Sequence, residues 1–177
     1  MKGFARAAFL AALFLFLAGA EARASALSVS SPAFKDGERM PRQSGCEGGD
    51  RSPPLQVVGV PGEAKSLAIL MTEQDSPRGQ QPLWIAYNLA PTYISIAENQ
   101  PRTRQLKGGG MQIALGNAKP GYTGPCPPAG VTRRYLIEVF ALDSLLDLPE
   151  NATKQDFLLA VEGHILVRGW ITGRYKK

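Results

Sequence analysis

Gly121-Tyr-Thr-Gly-Pro-Cys-Pro-Pro-Ala-Gly130 leads into Arg134-Tyr-Leu-Ile-Glu-Val-Phe-Ala-Leu142, and together the two stretches decide how the chain folds. Pro125, Pro127 and Pro128 fix φ and remove backbone donors, while Gly121, Gly124 and Gly130 open positive φ, so the first stretch is neither helix nor central strand. It is a stiff loop. The second stretch is rich in apolar, branched and aromatic residues and reads as a strong strand. A stiff loop carrying a cysteine at the mouth of a strand brings backbone close to a ligand or to another loop. An ordinary long turn would use the same residues.

Outward from there, other strands announce themselves by the same signals. Leu27 to Val29 alternates as an edge strand would, and Leu55 to Val60 alternates again before Pro61-Gly62 breaks it. Ser66-Leu-Ala-Ile-Leu-Met-Thr72 is a continuous apolar run bounded by turns, the pattern of a central strand. Leu83-Trp-Ile-Ala-Tyr-Asn-Leu89, Met111 to Leu115 and Ile165 to Arg174 supply three more. Between them lie loops. Pro41 to Pro54 is polar and glycine-rich, Glu73-Gln-Asp-Ser-Pro-Arg-Gly79 leaves a strand, and Lys107-Gly-Gly-Gly110 lacks the Gly-Lys-Ser/Thr ending of a phosphate loop. One helix is expected, with Thr153 as N-cap, Asp156 three residues on, Phe157, Leu158 and Val161 as its apolar stripe, and Gly163 as its stop. Asn151-Ala-Thr153 also matches a glycosylation sequon, a short pattern of little weight. The whole describes a mainly β chain, an antiparallel β-sandwich with one short helix near the C-terminus.

The 177 residues suit a single domain once the N-terminus is set aside. Lys2 and Arg6 precede the apolar run Ala7 to Ala18, and small-residue sites follow, so residues 1–26 read as a cleaved secretory signal and 27–177 as the domain. Export to the periplasm, or secretion, follows as an expectation. No later segment has the apolar length of a transmembrane helix. The chain carries 20 Lys and Arg against 15 Asp and Glu; removing Lys2, Arg6, Arg23 and Glu21 leaves 17 against 14, a net charge of +3. That mild balance argues against a nucleic-acid partner and permits a small anionic ligand or a weak membrane-surface contact. Cys46 and Cys126 would meet an oxidising compartment, where a disulfide is the natural state and two buried free thiols the alternative. Two cysteines and one histidine, His164, match no standard metal-ligand spacing, so no metal and no cofactor are expected.

Several of these stretches occur in a telling order: Cys46-Glu-Gly-Gly-Asp50-Arg-Ser52-Pro-Pro54, Glu73-Gln-Asp75-Ser-Pro77, Trp84-Ile-Ala-Tyr87-Asn88, Gly121-Tyr122-Thr-Gly124-Pro-Cys126-Pro127-Pro128, Arg134-Tyr135 and Ala141-Leu-Asp143. The order resembles the phosphatidylethanolamine-binding protein family, in its bacterial Raf-kinase-inhibitor-like branch, from about Ser28 to Tyr175. What the resemblance implies is a β-sandwich with an anion pocket at one end, formed here by Glu73, Asp75, Leu83, Tyr122, Cys126, Pro127, Arg133 and Tyr135. The chain departs from the family pattern at the pocket itself. Glu73-Gln74-Asp75-Ser76-Pro77 stands for an Asp-Pro-Asp-x-Pro loop, and Leu83 and Arg133 stand where the family carries histidines.

Leucine neither donates a hydrogen bond nor carries charge, whereas arginine offers a permanent charge and a fork of donors suited to phosphate oxygens. A solvated Arg133-Arg134 pair at a strand start is the plainer reading. The Glu73 and Asp75 carboxylates are expected to orient donors and balance Arg133, or Asp75 simply to close an Asx turn. The expected function is therefore an exported, non-enzymatic protein that binds a small anion or a phospholipid headgroup. The alternative is a protein-interaction module, such as an inhibitor of kinases or proteases, whose partner the residues do not name. A hydrolase is the least supported reading, because it must recruit His164 or two carboxylates from one short loop.

Overall fold

The computed structural model describes residues 26–106, 109–116 and 118–177. The expected signal segment lies outside them, apart from Ala26. Eight strands and one helix follow in order: β1 (Ser28–Ser30), β2 (Leu55–Val58), β3 (Ser66–Glu73), β4 (Gln81–Leu89), β5 (Ser95–Ile96), β6 (Met111–Gln112), β7 (Thr132–Leu142), α1 (Lys154–Val161) and β8 (Ile165–Lys176). They form a small sheet in the order β1-β2-β5 and a large one in the order β6-β4-β3-β7-β8, antiparallel throughout. The fold is the expected β-sandwich with a single helix near the C-terminus.

β3 is a continuous apolar run because both of its faces are covered. Leu67, Ile69 and Met71 enter the core between the sheets, with Leu55 and Val57 of β2 and Ile137 and Val139 of β7. Ala68 and Leu70 point the other way, into a second core roofed by Phe157 and Val161 of α1. The rings of Phe140 and Phe157 meet edge-on there, 6.1 Å apart. The helix starts where expected. Thr153 Oγ1 accepts from the Asp156 amide at 3.2 Å, the Asp156 carboxylate accepts from the Thr153 amide at 2.8 Å, and Gly163 follows the last turn at φ +80°.

β4 departs from regular pairing twice. Asn88 adopts φ +55°, and its amide exchanges two hydrogen bonds with the backbone of Leu146, at 2.8 and 2.7 Å. At the other end the partner of β3 jumps from Trp84 to Pro82, leaving Leu83 in a bulge. Trp84 therefore faces the inter-sheet core, where its indole N–H donates to the Gln112 side chain at 2.8 Å and its ring meets Tyr122 edge-on. Gln112 is buried but satisfied, donating in turn to the carbonyls of Pro101 and Thr103.

Candidate functional site

β3 and β7 are in register from Ser66 opposite Leu142 to Glu73 opposite Tyr135. Directly opposed residues share a face, so Glu73, Tyr135 and Arg133 end the same inward row that Met71 and Ile137 begin. At that end the row turns from apolar to charged. The Arg133 guanidinium donates to the Glu73 carboxylate, and both side chains are mostly shielded, at 17 and 15 % exposure. The bond to Glu73 raises the Arg133 pKa above its ordinary value. Tyr135 lies beneath the pair, fully buried, and its hydroxyl has no hydrogen-bond partner among the described residues. Burial raises that hydroxyl's pKa, Glu73 raises it further, and Arg133 opposes both.

Asp75 does a different task from Glu73. Its carboxylate accepts from the Arg134 amide at 2.8 Å, from Nε at 3.1 Å and from Nη2 at 2.6 Å. That grip lowers the Asp75 pKa, chiefly through the side-chain hydrogen bonds. Gln74 N–H adds a bond to the Arg134 carbonyl at 2.9 Å. The 73–79 loop is thus tied to β7 through the outward-facing Arg134, and Glu73 is the carboxylate bonded to Arg133. Of the two carboxylates expected to balance Arg133, Glu73 bonds it directly, while Asp75 bonds Arg134 and reaches Arg133 only through its charge.

The second loop is stitched to the segment before β2. Cys46 and Cys126 form a disulfide, the Cys46 amide donates to the Pro125 carbonyl at 3.1 Å, and the Gly124 amide donates to Asp50 Oδ1 at 3.1 Å. Position 124 must be glycine, because a Cβ there would overlap Asp50 Oδ1 and the Ser44 carbonyl. Tyr122 donates to that same Ser44 carbonyl at 2.8 Å, and Tyr175 donates to the Arg42 carbonyl at 3.2 Å. Two buried tyrosines therefore fix a single 3-10 turn, Arg42–Ser44, that carries Cys46 to its partner.

Between the loops opens a cleft of about 500 Å³. Glu73 and Arg133 form its strand wall, Ser76–Arg78 one loop wall, Cys126–Pro128 the other, and Lys177 closes it. Of the residues expected at the site, Glu73, Cys126, Pro127 and Arg133 meet on this cleft, and Asp75 anchors its loop from outside. Tyr122, Tyr135 and Leu83 lie below, in the inter-sheet core. Leu83 holds the floor by backbone, its carbonyl accepting from the Thr123 amide at 2.8 Å. Arg78 and Lys177 add two cations that reading motifs did not single out. Arg78 sits within a loop already marked, but nothing in sequence brings Lys177 there. His164 is elsewhere, beside α1, with Nδ1 2.8 Å from Asp143 Oδ1 and both side chains about half exposed.

Among the described residues no group of three or more acidic, His or Cys side chains could hold a metal ion. No described helix is long and apolar enough to cross a membrane.

Comparison with known proteins points one way. A family profile described as phosphatidylethanolamine-binding protein matches residues 30–176. A UPF0098 protein of Methanothermobacter thermautotrophicus is 40% identical over 151 residues, which cover 85% of this chain and 99% of that one. Among solved structures, the phosphatidylethanolamine-binding protein homologue CT736 of Chlamydia trachomatis superposes with a TM-score of 0.76 at 35% identity, covering 86% of this chain and 99% of its own. E. coli YbcL, described as a member of the mammalian family, gives 0.76 at 25% identity, covering 85% and 98%. By profile, sequence and fold alike, the chain belongs to the phosphatidylethanolamine-binding protein family.

Proposed function

We propose that the Arg133 cleft binds a small phosphate-bearing ligand, a phospholipid headgroup or a free phosphoester, and performs no catalysis. The observation that carries the reading is the Tyr135 hydroxyl, a fully buried donor with no partner among the described residues, set against the Glu73–Arg133 ion pair that faces the cleft. A buried polar group left unpaired costs roughly 1–3 kcal/mol, so its retention suits a group that is completed by ligand. Arg78, Arg133 and Lys177 outnumber the single carboxylate Glu73 on the walls, which favours phosphate. Glu73 also gives the cleft an acceptor, so a zwitterionic headgroup, with phosphate toward the arginines and ammonium toward Glu73, fits better than a simple anion.

Binding rather than hydrolysis is favoured by the placing of nucleophile and base. His164 and Asp143 pair on the outside of the fold, and the neighbouring Ser144 hydroxyl is buried without a hydrogen bond, so no imidazole activates it. Export is part of the same reading. The leader-like N-terminus suggests it, and the Cys46–Cys126 disulfide supports an oxidising compartment.

The test is calorimetric titration with glycerophosphoethanolamine. Arg133→Ala should weaken binding by about 1.5–3 kcal/mol, the loss of one charge-assisted contact. Equal affinity in parent and variant refutes the assignment. Absence of binding by the parent would favour the protein-interaction reading.

A further inference from the structure

On the outward face of the large sheet, three arginines lie side by side across neighbouring backbones. Arg134 of β7 is directly opposite Arg174 of β8, and Arg174 bridges in parallel to Arg39. The segment carrying Arg39 is pinned to β8 by Met40 N–H to the Arg174 carbonyl and Arg174 N–H to the Glu38 carbonyl, each 2.8 Å. Burial sets the faces: Met40 and Tyr175 are in the core, so Arg39, Arg174 and Lys176 are outward. Directly opposed like charges destabilise a sheet. Arg134 is relieved by Asp75. Arg39, Arg174 and Lys176 have no ion pair and no side-chain hydrogen bond among the described residues. They converge instead on a cleft of about 220 Å³, lined also by Glu38 and the Thr132 side of the β7 end.

We propose that this cleft is a second anion site, which takes a phosphoryl group between Arg39, Arg174 and Lys176. Three cations against the one carboxylate of Glu38 leave a net positive site, and guanidinium forks match phosphate oxygens in geometry as well as charge. Of the two sources of such a group, a free phosphate and an anionic lipid headgroup, the structure offers a reporter for the second. Trp170 is 58% exposed on the same strand and the same face, next to Arg168 and within a strand's length of Arg174. An exposed tryptophan on a face that also carries Arg174 and Lys176 suits a membrane-interface contact, with Arg168 held by Glu138 opposite Trp170. The site is separate from the Arg133 cleft and stands or falls without it.

Inorganic phosphate is titrated at low ionic strength into the full chain carrying R133Q, which weakens the first cleft, and into R133Q/R39Q/R174Q, so that the difference between the two reports the second. Phosphate should bind R133Q and raise its Tm, and the triple variant should bind at least about tenfold more weakly, with no rise in Tm. Arg39 and Arg174 are exposed, so the fold should survive; K176Q in the R133Q background gives a second reading if it does not. In parallel, the parent and R39Q/R174Q are sedimented with phosphatidylglycerol vesicles while Trp170 emission is followed. Vesicle binding with a blue shift, lost in the variant, assigns the site to a lipid headgroup. Phosphate binding without vesicle binding assigns it to a free phosphoester. Binding of either probe that is unchanged by R39Q/R174Q, or no binding of either, overturns the proposal.

Discussion

Tyr135 and Asp75 show how differently two side chains of one site can bear on folding. The Tyr135 hydroxyl is buried without a partner, so Tyr135→Phe should leave stability unchanged or raise it by up to about 1 kcal/mol in urea unfolding, while weakening headgroup binding. A variant that is both less stable and equally tight in binding would refute the ligand role. Asp75 is the reverse case. Arg134 holds its carboxyl below the ordinary 3.8, so folding favours the anion. The resulting stability is complete above pH 3.8 and is lost as pH falls through the lower, folded value. The stability gap between the parent and Asp75→Asn should therefore be widest near neutrality and close as pH falls through the lowered pKa of Asp75, and thermal melting across acidic pH checks it. Arginine in place of histidine has its own pH signature: affinity for a phosphodiester headgroup should be nearly flat from about pH 5.5 to 8, where a histidine pocket would weaken as pH rises. The types of these residues were legible in sequence, but their pairing was not. Adjacent Arg133 and Arg134 point to opposite faces of a strand, so which carboxylate meets which arginine depends on the β3–β7 register, a contact between distant segments.

At the scale of elements, legibility follows length and local chemistry. β3, β4 and β7 were readable because eight to eleven residues of apolar or alternating pattern leave little choice, and α1 because its capping box is written within four positions. Thr153→Ala should remove the hydroxyl's half of that box, leave the residue-153 amide donating to Asp156, and cost about 1 kcal/mol in chemical denaturation, with Phe157 and Val161 keeping the helix docked. The strand read at Met111 to Leu115 is paired only over Met111–Gln112, β5 is two residues, too short to carry any period, and Arg42–Ser44 was hidden in what read as a long polar loop. Leu83 was expected at the site and sits in a bulge beneath it, because one extra residue in β4 redirects every side chain before Trp84. Such a bulge has no signature in a strand whose residues on both faces are apolar.

The molecule as a whole is closed by a bond that sequence suggested and structure joins: the disulfide between Cys46, which precedes the small sheet's β2, and Cys126, which precedes β7 of the large sheet. Its 80-residue span implies that reduction should cost up to about 4.5 kcal/mol on the chain-entropy account, measured as the drop in unfolding free energy with reductant. Thiol titration of the denatured, unreduced protein should find none. The convergence of the three loops could be anticipated because each enters or leaves an apolar strand at one end of the sheets, whereas the charged row on the outer face of β8 needed the register of Arg39 on Arg174 to appear. The same bond also has a mechanical meaning. If the oxidised protein is stretched by its two termini, covalent tension passes from Cys46 straight to Cys126 and bypasses the backbone of β2 through β6. A force–extension trace should then gain only the contour length outside the bridge, and adding reductant should release a further span of about 270 Å, from 80 residues at roughly 3.4 Å each.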